Sequence, residues 1–301
     1  MITHRPKTVS LLLLLGPLFF ASCAHPGAGT SDRIIAIGDL HGDLQAARAA
    51  LRLGGAIDTR DRWIGGKLVV VQTGDILDRG DEEPAIISLF QRLGEEARSA
   101  GGDVHVLNGN HELMNADLDF RYVTEMGFRA FSDTAAVDPT DSLLASLDPT
   151  ERLRASAFRP GGPVALLLAQ HATALVIGPN LFVHGGILPE HVDKGLDSMN
   201  REIRGWLRNE APQPDWIRGD RSPVWTRLYS DQPGPAACDT LVLVLDELGV
   251  QRMVVGHTVQ TTGITAFCGG RVWAIDVGMA AHYGGRPEVL EIRGDVVRSI
   301  W

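Results

Sequence analysis

Three times in its first half the chain runs through a short aliphatic stretch, breaks at a glycine and continues with side chains able to hold a metal. The junctions are Gly38-Asp39-Leu40-His41-Gly42, Gly74-Asp75-Ile76-Leu77-Asp78-Arg79-Gly80 and Gly109-Asn110-His111-Glu112. The runs before them, Arg33 to Gly38, Lys67 to Thr73 and Val104 to Leu107, read as buried strands. Leu44 to Leu53 and Glu82 to Ser99, between those runs, read as helices. Strands that alternate with helices pair in parallel. Folds of this kind place ligands at the C-terminal ends of their strands. All three junctions are therefore expected at such ends, on one edge of a sheet.

Beyond the third junction the pattern weakens. Asn115 to about His171 has no clean period and reads as helices and loops bordering the site. Ala174 to Ile177 and Leu181 to Val183 flank Gly178-Pro179-Asn180, which reads as a turn. Leu196 to Leu207 and Leu241 to Leu248 read as helices. Met253 to Val255, Val272 to Ile275 and Val289 to Ile292 read as strands of a second sheet. No repeat or linker divides residues 33–301, which are expected to form one domain. At 44% hydrophobic and 22% charged, such a chain can bury one sizeable core.

The N-terminus is expected to lie outside that domain. His4, Arg5 and Lys7 precede a short apolar run, Leu11 to Phe20, and then Ala21-Ser22-Cys23. This resembles a bacterial lipoprotein signal over residues 1–23, with Cys23 as the lipidated first mature residue. An ordinary cleaved signal is the alternative. Residues 24–32 are rich in Gly, Pro, Ser and Thr and read as a tether. The expected location is the periplasm, with a lipid anchor in the bacterial envelope, at the outer membrane rather than the inner. Setting Cys23 aside leaves Cys238 and Cys268, an even pair that in an exported chain suggests a disulfide. Two separate thiols are the alternative. The formal net charge of −9 gives no bulk attraction for nucleic acid. An anionic ligand must be held by local positive charge.

The junction side chains suggest where that charge comes from. Asp39 and His41, two apart at a tight turn, can converge on one ion. Asp75 has two oxygens and can bridge two ions. Asn110 adds a neutral oxygen, while His184 in Val183-His184-Gly185-Gly186 and His257 in Val255-Gly256-His257-Thr258 add nitrogens. Mixed oxygen and nitrogen donors suit hard-to-borderline divalent cations. Two such ions ~3.5–4 Å apart can hold a shared hydroxide and clamp a phosphate. Arg79 could meet a phosphate oxygen, or form only a surface salt bridge. His111 could protonate a leaving alkoxide if a carboxylate keeps it cationic, and Asp78 is the candidate. It could instead be a third ligand or an outer donor. Arg227 reads as a second phosphate clamp or as packing. His105, His171, His191 and His282 read as structural or exposed. Asp276 and Tyr283 read as structural, with pocket lining as the alternative.

Taken together, these segments resemble the calcineurin-like metallophosphoesterases from Ile34 to Ile300, and within them the phosphoprotein phosphatase signature. Met199-Asn200-Arg201-Glu202, Val224-Trp225-Thr226-Arg227, Arg252 to Thr258 and Ile275-Asp276-Val277-Gly278-Met279 resemble the Shewanella-like protein phosphatases. The resemblance implies an α/β fold, a sandwich of two mixed β-sheets flanked by helices. It implies Asp39, His41 and Asp75 on one metal, and Asp75, Asn110, His184 and His257 on the other. Manganese is expected first, with iron or zinc as alternatives. It also implies His111 paired with Asp78 as leaving-group acid, and Arg79 on the phosphate with Arg227 as a further contact. The Ser-Ala-Pro-Asn-Tyr segment of the eukaryotic serine/threonine branch is missing.

The expected function is that of a phosphomonoesterase, acting on phosphotyrosine or phosphoserine/threonine in proteins or on small phosphoesters. The membrane enters only through the lipid anchor, and no nucleic acid partner is expected. A nucleotide or dinucleoside-polyphosphate hydrolase is the alternative. Such enzymes usually carry Asn-Arg where this chain has Asp78-Arg79, and Asp where it has Glu112. A lipid-anchored, non-catalytic binding protein is the reading of another class. Retention of all six ligands speaks against it.

Overall fold

The structure is a computed structural model that describes Met1 and residues 33–301. Cys23, the whole tether and all of the signal but Met1 lie outside the described residues. Along the chain, β1 (Ile34–Ile37), α1 (Leu44–Leu53), β2 (Val69–Gln72), α2 (Glu83–Ser99) and β3 (Asp103–Val106) come first. Then follow α3 (Asn110–Ala116), α4 (Ser142–Ser146), α5 (Arg152–Phe158) and α6 (Pro163–Leu168), and the hairpin β4 (Ala174–Ile177) with β5 (Asn180–Val183). Next come α7 (Pro189–Lys194), α8 (Leu196–Leu207), α9 (Pro235–Leu248) and β6 (Arg252–Val255). The chain ends with β7 (Thr265–Phe267), β8 (Val272–Ala274) and a hairpin of β9 (Val289–Arg293) and β10 (Val296–Ile300). No helix among the described residues is long and apolar enough to cross a membrane.

Two five-stranded mixed sheets result, in the orders β10-β9-β1-β2-β3 and β4-β5-β6-β8-β7. Three strands of each are parallel: β1, β2 and β3 in one, β5, β6 and β8 in the other. Successive side chains of a strand face opposite ways, and here both faces are covered. Ile34, Ala36 and Val71 meet Phe182, Val254 and Ile275 in the layer between the sheets. Ile35, Ile37 and Val70 face the other way, with Leu51 and Phe90 of α1 and α2. Val183, Met253 and Val255 pack with Leu241, Val244 and Leu245 of α9. That double burial explains why the strands read as continuous apolar runs rather than alternating ones.

Register carries the site. Ile37, Gln72 and Val106 are side by side, so the three junctions begin at one level. Val183, Val255 and Ala274 are likewise in register, so the segments carrying His184, His257 and Asp276 also begin together. Local signals fix the connections. Asp43 caps α1 by accepting the Ala46 N–H at 2.9 Å.

Three expectations need correction. Val289–Arg293 belongs to the first sheet, antiparallel to β1, not to the second. The long passage after β8 carries the chain back across, and the closing hairpin covers the β1 edge, placing Leu290 and Ile292 between the sheets. The helix expected at Leu241 starts six residues earlier, at Pro235, because proline suits a first helical turn and alanines extend it. Asn180 is in β5 rather than the turn, paired with Arg252. Cys238, in the first part of α9, is joined by a disulfide to Cys268 just past β7.

Candidate functional site

Five strand ends deliver the six candidate ligands. Asp39 and His41 follow β1, Asp75 follows β2, Asn110 opens α3 after β3, and His184 and His257 follow β5 and β6. None of the six is more than 7% exposed. The backbone is bent hard to bring them together. Among the described residues, ten non-glycine residues have φ between 43° and 67°, and five of these are His41, Asp75, Asp78, Arg79 and His257. Each such conformation costs about 1–3 kcal/mol and persists only where the surroundings hold it. Two glycines have no substitute. A Cβ on Gly109 would lie 2.2 Å from Asp75 Oδ1, and one on Gly256 would lie 2.4 Å from Asp39 Oδ1.

Much of the holding is done by Glu112, a residue the sequence reading used only to compare families. Its carboxylate accepts the N–H groups of Asp75 (2.8 Å), Ile76 (2.9 Å), Leu77 (3.2 Å) and Gly109 (2.7 Å). One side chain thus ties the second junction to the third. The available signal was a glutamate at the third position of a helix, where it reaches back to the first free N–H.

Three histidine rings are oriented by backbone carbonyls. His41 Nδ1 donates to Leu77 O at 3.0 Å, His184 Nδ1 to Thr73 O at 2.9 Å and His257 Nε2 to Trp225 O at 3.0 Å. The opposite nitrogen of each ring then faces inward, where a neutral ring presents a lone pair. His184 Nε2 lies 2.9 Å from Asn110 Oδ1, 3.2 Å from His257 Nδ1 and 3.2 Å from Asp75 Oδ2. Asp75 Oδ1 is occupied by the His111 N–H at 3.0 Å, so Oδ2 is the oxygen left for this space. Nearby, His41 Nε2 is 3.9 Å from Asp39 Oδ2 and 3.9 Å from Asp75 Oδ2, and His111 Nε2 is 3.7 Å from Asp75 Oδ2. Two clusters could each hold an ion, His41 with Asp75 and His111, and Asp75 with His184 and His257. Acceptors turned toward acceptors are what a cation requires, so the residues fit a pair of divalent ions.

The electrostatics agree. Burial holds His257 down at about 2 and His41 at about 3, so both rings are neutral donors of lone pairs. Burial pushes Asp39 well above the carboxylate range, helped by Asp276 and Asp75. Burial also raises Glu112 to about 7, with the Asp75 charge adding to it, and Asp276 to about 6. Burial acts on Asp75 in the same direction, but the rings of His184 and His111 outweigh it and hold Asp75 well below the usual range. Four buried carboxylates in one place call for added positive charge.

His111 is different. Its Nδ1 lies 2.6 Å from Asp78 Oδ2. Burial favours the neutral ring, yet the Asp75 charge and the Asp78 hydrogen bond prevail and raise its pKa above the ordinary value. Asp78 is held in turn by Asn115 and by Arg154, residues the sequence reading passed over.

The lip of the site is aromatic and basic. The Arg79 guanidinium lies over Tyr122 at 4.5 Å and near Tyr283 at 5.3 Å, and Nη1 is 3.2 Å from His282 Nε2. Among the described residues its buried Nε has no partner, and no carboxylate pairs with it. Arg227 Nη1 donates to His257 O at 2.6 Å and to Thr258 Oγ1 at 2.9 Å. Tyr122, Trp225, Arg227 and Tyr283 line the same cavity as the candidate ligands. Tyr283 therefore belongs to the pocket, while Asp276 lies behind Asp39. His105, His171 and His191 are elsewhere. His282 is exposed, as expected, and touches Arg79 from the rim.

The sequence profile of the calcineurin-like phosphoesterases matches residues 32–261. The chain is 41% identical to Shewanella-like protein phosphatase 2 of Arabidopsis thaliana over 296 residues, covering 88% of this chain and 76% of that one. It is 26% identical to Shewanella-like protein phosphatase 1 of Plasmodium berghei, covering 89% and 74%. The solved structure of the cold-active protein-tyrosine phosphatase of a psychrophilic Shewanella species superposes with a TM-score of 0.72. That pair shares 26% identity and covers 89% of this chain and 80% of that one.

Proposed function

The chain belongs to the calcineurin-like phosphoesterase family and is a phosphoric ester hydrolase, and from that premise we propose that it is a dinuclear-metal phosphatase of phosphorylated proteins. The observation that carries this reading is a buried set of inward-facing acceptors with a carboxylate-free arginine at its lip. On this reading Asp39, His41 and Asp75 hold one ion. Asp75, Asn110, His184 and His257 hold the other. Manganese is our first choice for both, with iron or zinc as alternatives. When bound, the pair would supply Lewis acidity at a phosphoryl oxygen and a nucleophile from water at neutral pH.

The chain's own residues supply the rest. Arg79, pinned between Tyr122 and Tyr283, points its unpartnered Nε–H at the phosphate, and Arg227 adds a second positive charge. His111 delivers the proton on Nε2 to the leaving oxygen. Asp78 fixes the ring through Nδ1 and keeps it cationic. Glu112 keeps Asp75 and Asn110 in mutual position.

The cavity at the ligands measures about 60 Å³, room for ions and phosphate oxygens and not for a nucleoside. The organic part of the ester must lie across Tyr122, Tyr283 and Trp225. A second hollow of about 280 Å³, lined by Leu113, Met114, Trp225 and the ion pairs Arg121–Asp119 and Arg218–Asp117, adjoins it at Asn110. A peptide flanking the phosphorylated residue suits that open surface of apolar, aromatic and ion-paired side chains. The protein substrates in the relatives' names support the same reading. The test compares phosphotyrosine, phosphoserine and phosphothreonine peptides with nucleotides and diadenosine tetraphosphate. Phosphopeptides are expected to have the higher kcat/KM. Better hydrolysis of the nucleotides would overturn the protein-substrate reading.

We also propose an exported, lipid-anchored periplasmic location. The Cys238–Cys268 bond suits an oxidising compartment. Mass spectrometry of membrane-derived protein, looking for acylated Cys23, decides it.

A further inference from the structure

Arg154 on α5 is 0% exposed. A buried guanidinium is weak evidence of stabilisation, because its desolvation can cancel what its pairs contribute. This one uses every nitrogen. Nε donates to Asn115 Oδ1 at 2.6 Å, and Nη1 to Glu83 Oε2 at 2.7 Å and to Gly127 O at 2.8 Å. Nη2 donates to Glu83 Oε1 at 2.8 Å and to Asp78 Oδ1 at 3.2 Å. The rings of Phe158 and Phe131 lie 4.7 and 5.5 Å from it.

The consequence falls on Asp78. Its Oδ2 meets His111 Nδ1 at 2.6 Å, while Oδ1 accepts from Asn115 at 2.9 Å and from Arg154. Its N–H donates to Glu83 Oε1 at 2.6 Å, the same carboxylate that Arg154 grips. Asn115 closes the circuit by donating to His111 O at 2.9 Å. Asp78 is thus fixed at side chain and backbone by groups that all converge on one guanidinium. If that guanidinium is removed, the carboxylate can turn and the imidazole loses its aim.

We propose that Arg154 is a positioning residue for the leaving-group acid: it locks the Asp78 carboxylate and, through it, the direction of His111 Nε2. The inference rests on the reading of His111 as that acid. Lysine keeps the charge but not the fork that spans Glu83 and Asp78.

The test uses the full metal-loaded protein and two monoesters, p-nitrophenyl phosphate and an alkyl phosphate. Nitrophenolate leaves without a proton, whereas an alkoxide needs one. Arg154→Lys is expected to lower kcat on the alkyl ester by about 10–10²-fold, the range of an Å-scale misplacement, with KM and metal content unchanged. The loss on the nitrophenyl ester should be several-fold smaller. In an Asp78→Asn background the same substitution should cost little more. A readout independent of turnover is the downfield proton resonance of the short His111–Asp78 bond, which should broaden or shift in Arg154→Lys. If Arg154→Lys does not fold, Asn115→Ser, which loosens the same oxygen, carries the comparison. Equal losses on both esters, or additive losses with Asp78→Asn, would assign Arg154 to the fold alone and overturn the proposal. His111→Asn separates the two layers. If it shows the leaving-group bias and Arg154→Lys does not, only this proposal fails. If it shows none, the acid reading fails and the proposal with it.

Discussion

On one side of His111 stand Asp39, Asp75, Asn110, His184 and His257, with lone pairs turned toward lone pairs. On its other side stand Asp78, Glu83, Asn115 and Arg154, where both carboxylates are met by donors. Both clusters are buried, and both consist of polar groups from elements distant in sequence. The difference is that the second carries its own cation and the first does not. Burial of polar groups alone does not mark a binding site. The direction of their lone pairs does.

The sharpest way to break this contrast is Asp75→Asn. It removes the one oxygen set shared by both clusters of candidate ligands, and activity should fall by about 10³-fold or more, since electrostatic stabilisation is usually the largest catalytic contribution. Steady-state assays at saturating metal decide it, and retained turnover would contradict the bridging role. Next, His111→Asn should lower kcat by about 10²–10⁴-fold, the worth of a positioned acid, while metal content stays normal. Loss of metal instead would move His111 into the ligand set. The acid must be protonated, and its pKa is raised, so wild-type turnover of alkyl phosphates should fall as pH climbs through that raised value. Asp78→Asn removes one cause of the raising, and the falling limb should move to lower pH.

Stability should separate the two clusters as well. Arg154→Met strands Glu83 and Asp78 and should destabilise the protein by about 3–5 kcal/mol. Asp39→Asn relieves a carboxylate whose charge the fold disfavours, and should leave the metal-free protein as stable or more so. Chemical denaturation of both variants after chelation measures this, and equal destabilisation would erase the contrast.

The smallest effect concerns pH. Glu112 and Asp276 have folded values raised to about 7 and about 6. The native state then holds more protons than the unfolded chain between their ordinary values and these. These two carboxyls therefore add stability to the metal-free protein as pH falls from 7 toward 5, while His41 and His257, held down at about 3 and about 2, subtract it because only the unfolded chain takes up their protons. Bound metal should act in the same sense as the histidines, because acid protonates the ligands and releases the ions. Melting curves after chelation should show a steeper loss of stability toward pH 5 in Glu112→Gln than in the wild type, and an unchanged slope would contradict the raised value of Glu112.

The ligand cluster was legible in the sequence because each junction is local. An aliphatic strand, a glycine and a donor fall within a few residues, and parallel pairing aligns the ends. The two histidines after β5 and β6 follow the same rule in the second sheet. The Arg154 cluster was not legible. Its arginine lies in a stretch without period, near Arg152 and Arg159, and nothing local marks which of them turns inward. Its partner Glu83 reads as an ordinary first-turn acid of a helix. Tyr122 was missed for the same reason: its value lies in packing against Arg79, from a loop with no pattern. The placement of β9 failed because nearness in sequence to β8 suggested a shared sheet, whereas the intervening passage crosses to the other.

The central claim is that the acceptor cluster holds two divalent cations joined by Asp75. Metal analysis by mass spectrometry of the purified protein, alongside its Asp75→Asn variant, tests it most directly. Two equivalents per chain in the wild type, one or none in the variant, and activity recovered by the stripped wild type only at the second equivalent are the predicted results. Full phosphatase activity with no bound metal, or an unchanged two equivalents in Asp75→Asn, would contradict the account.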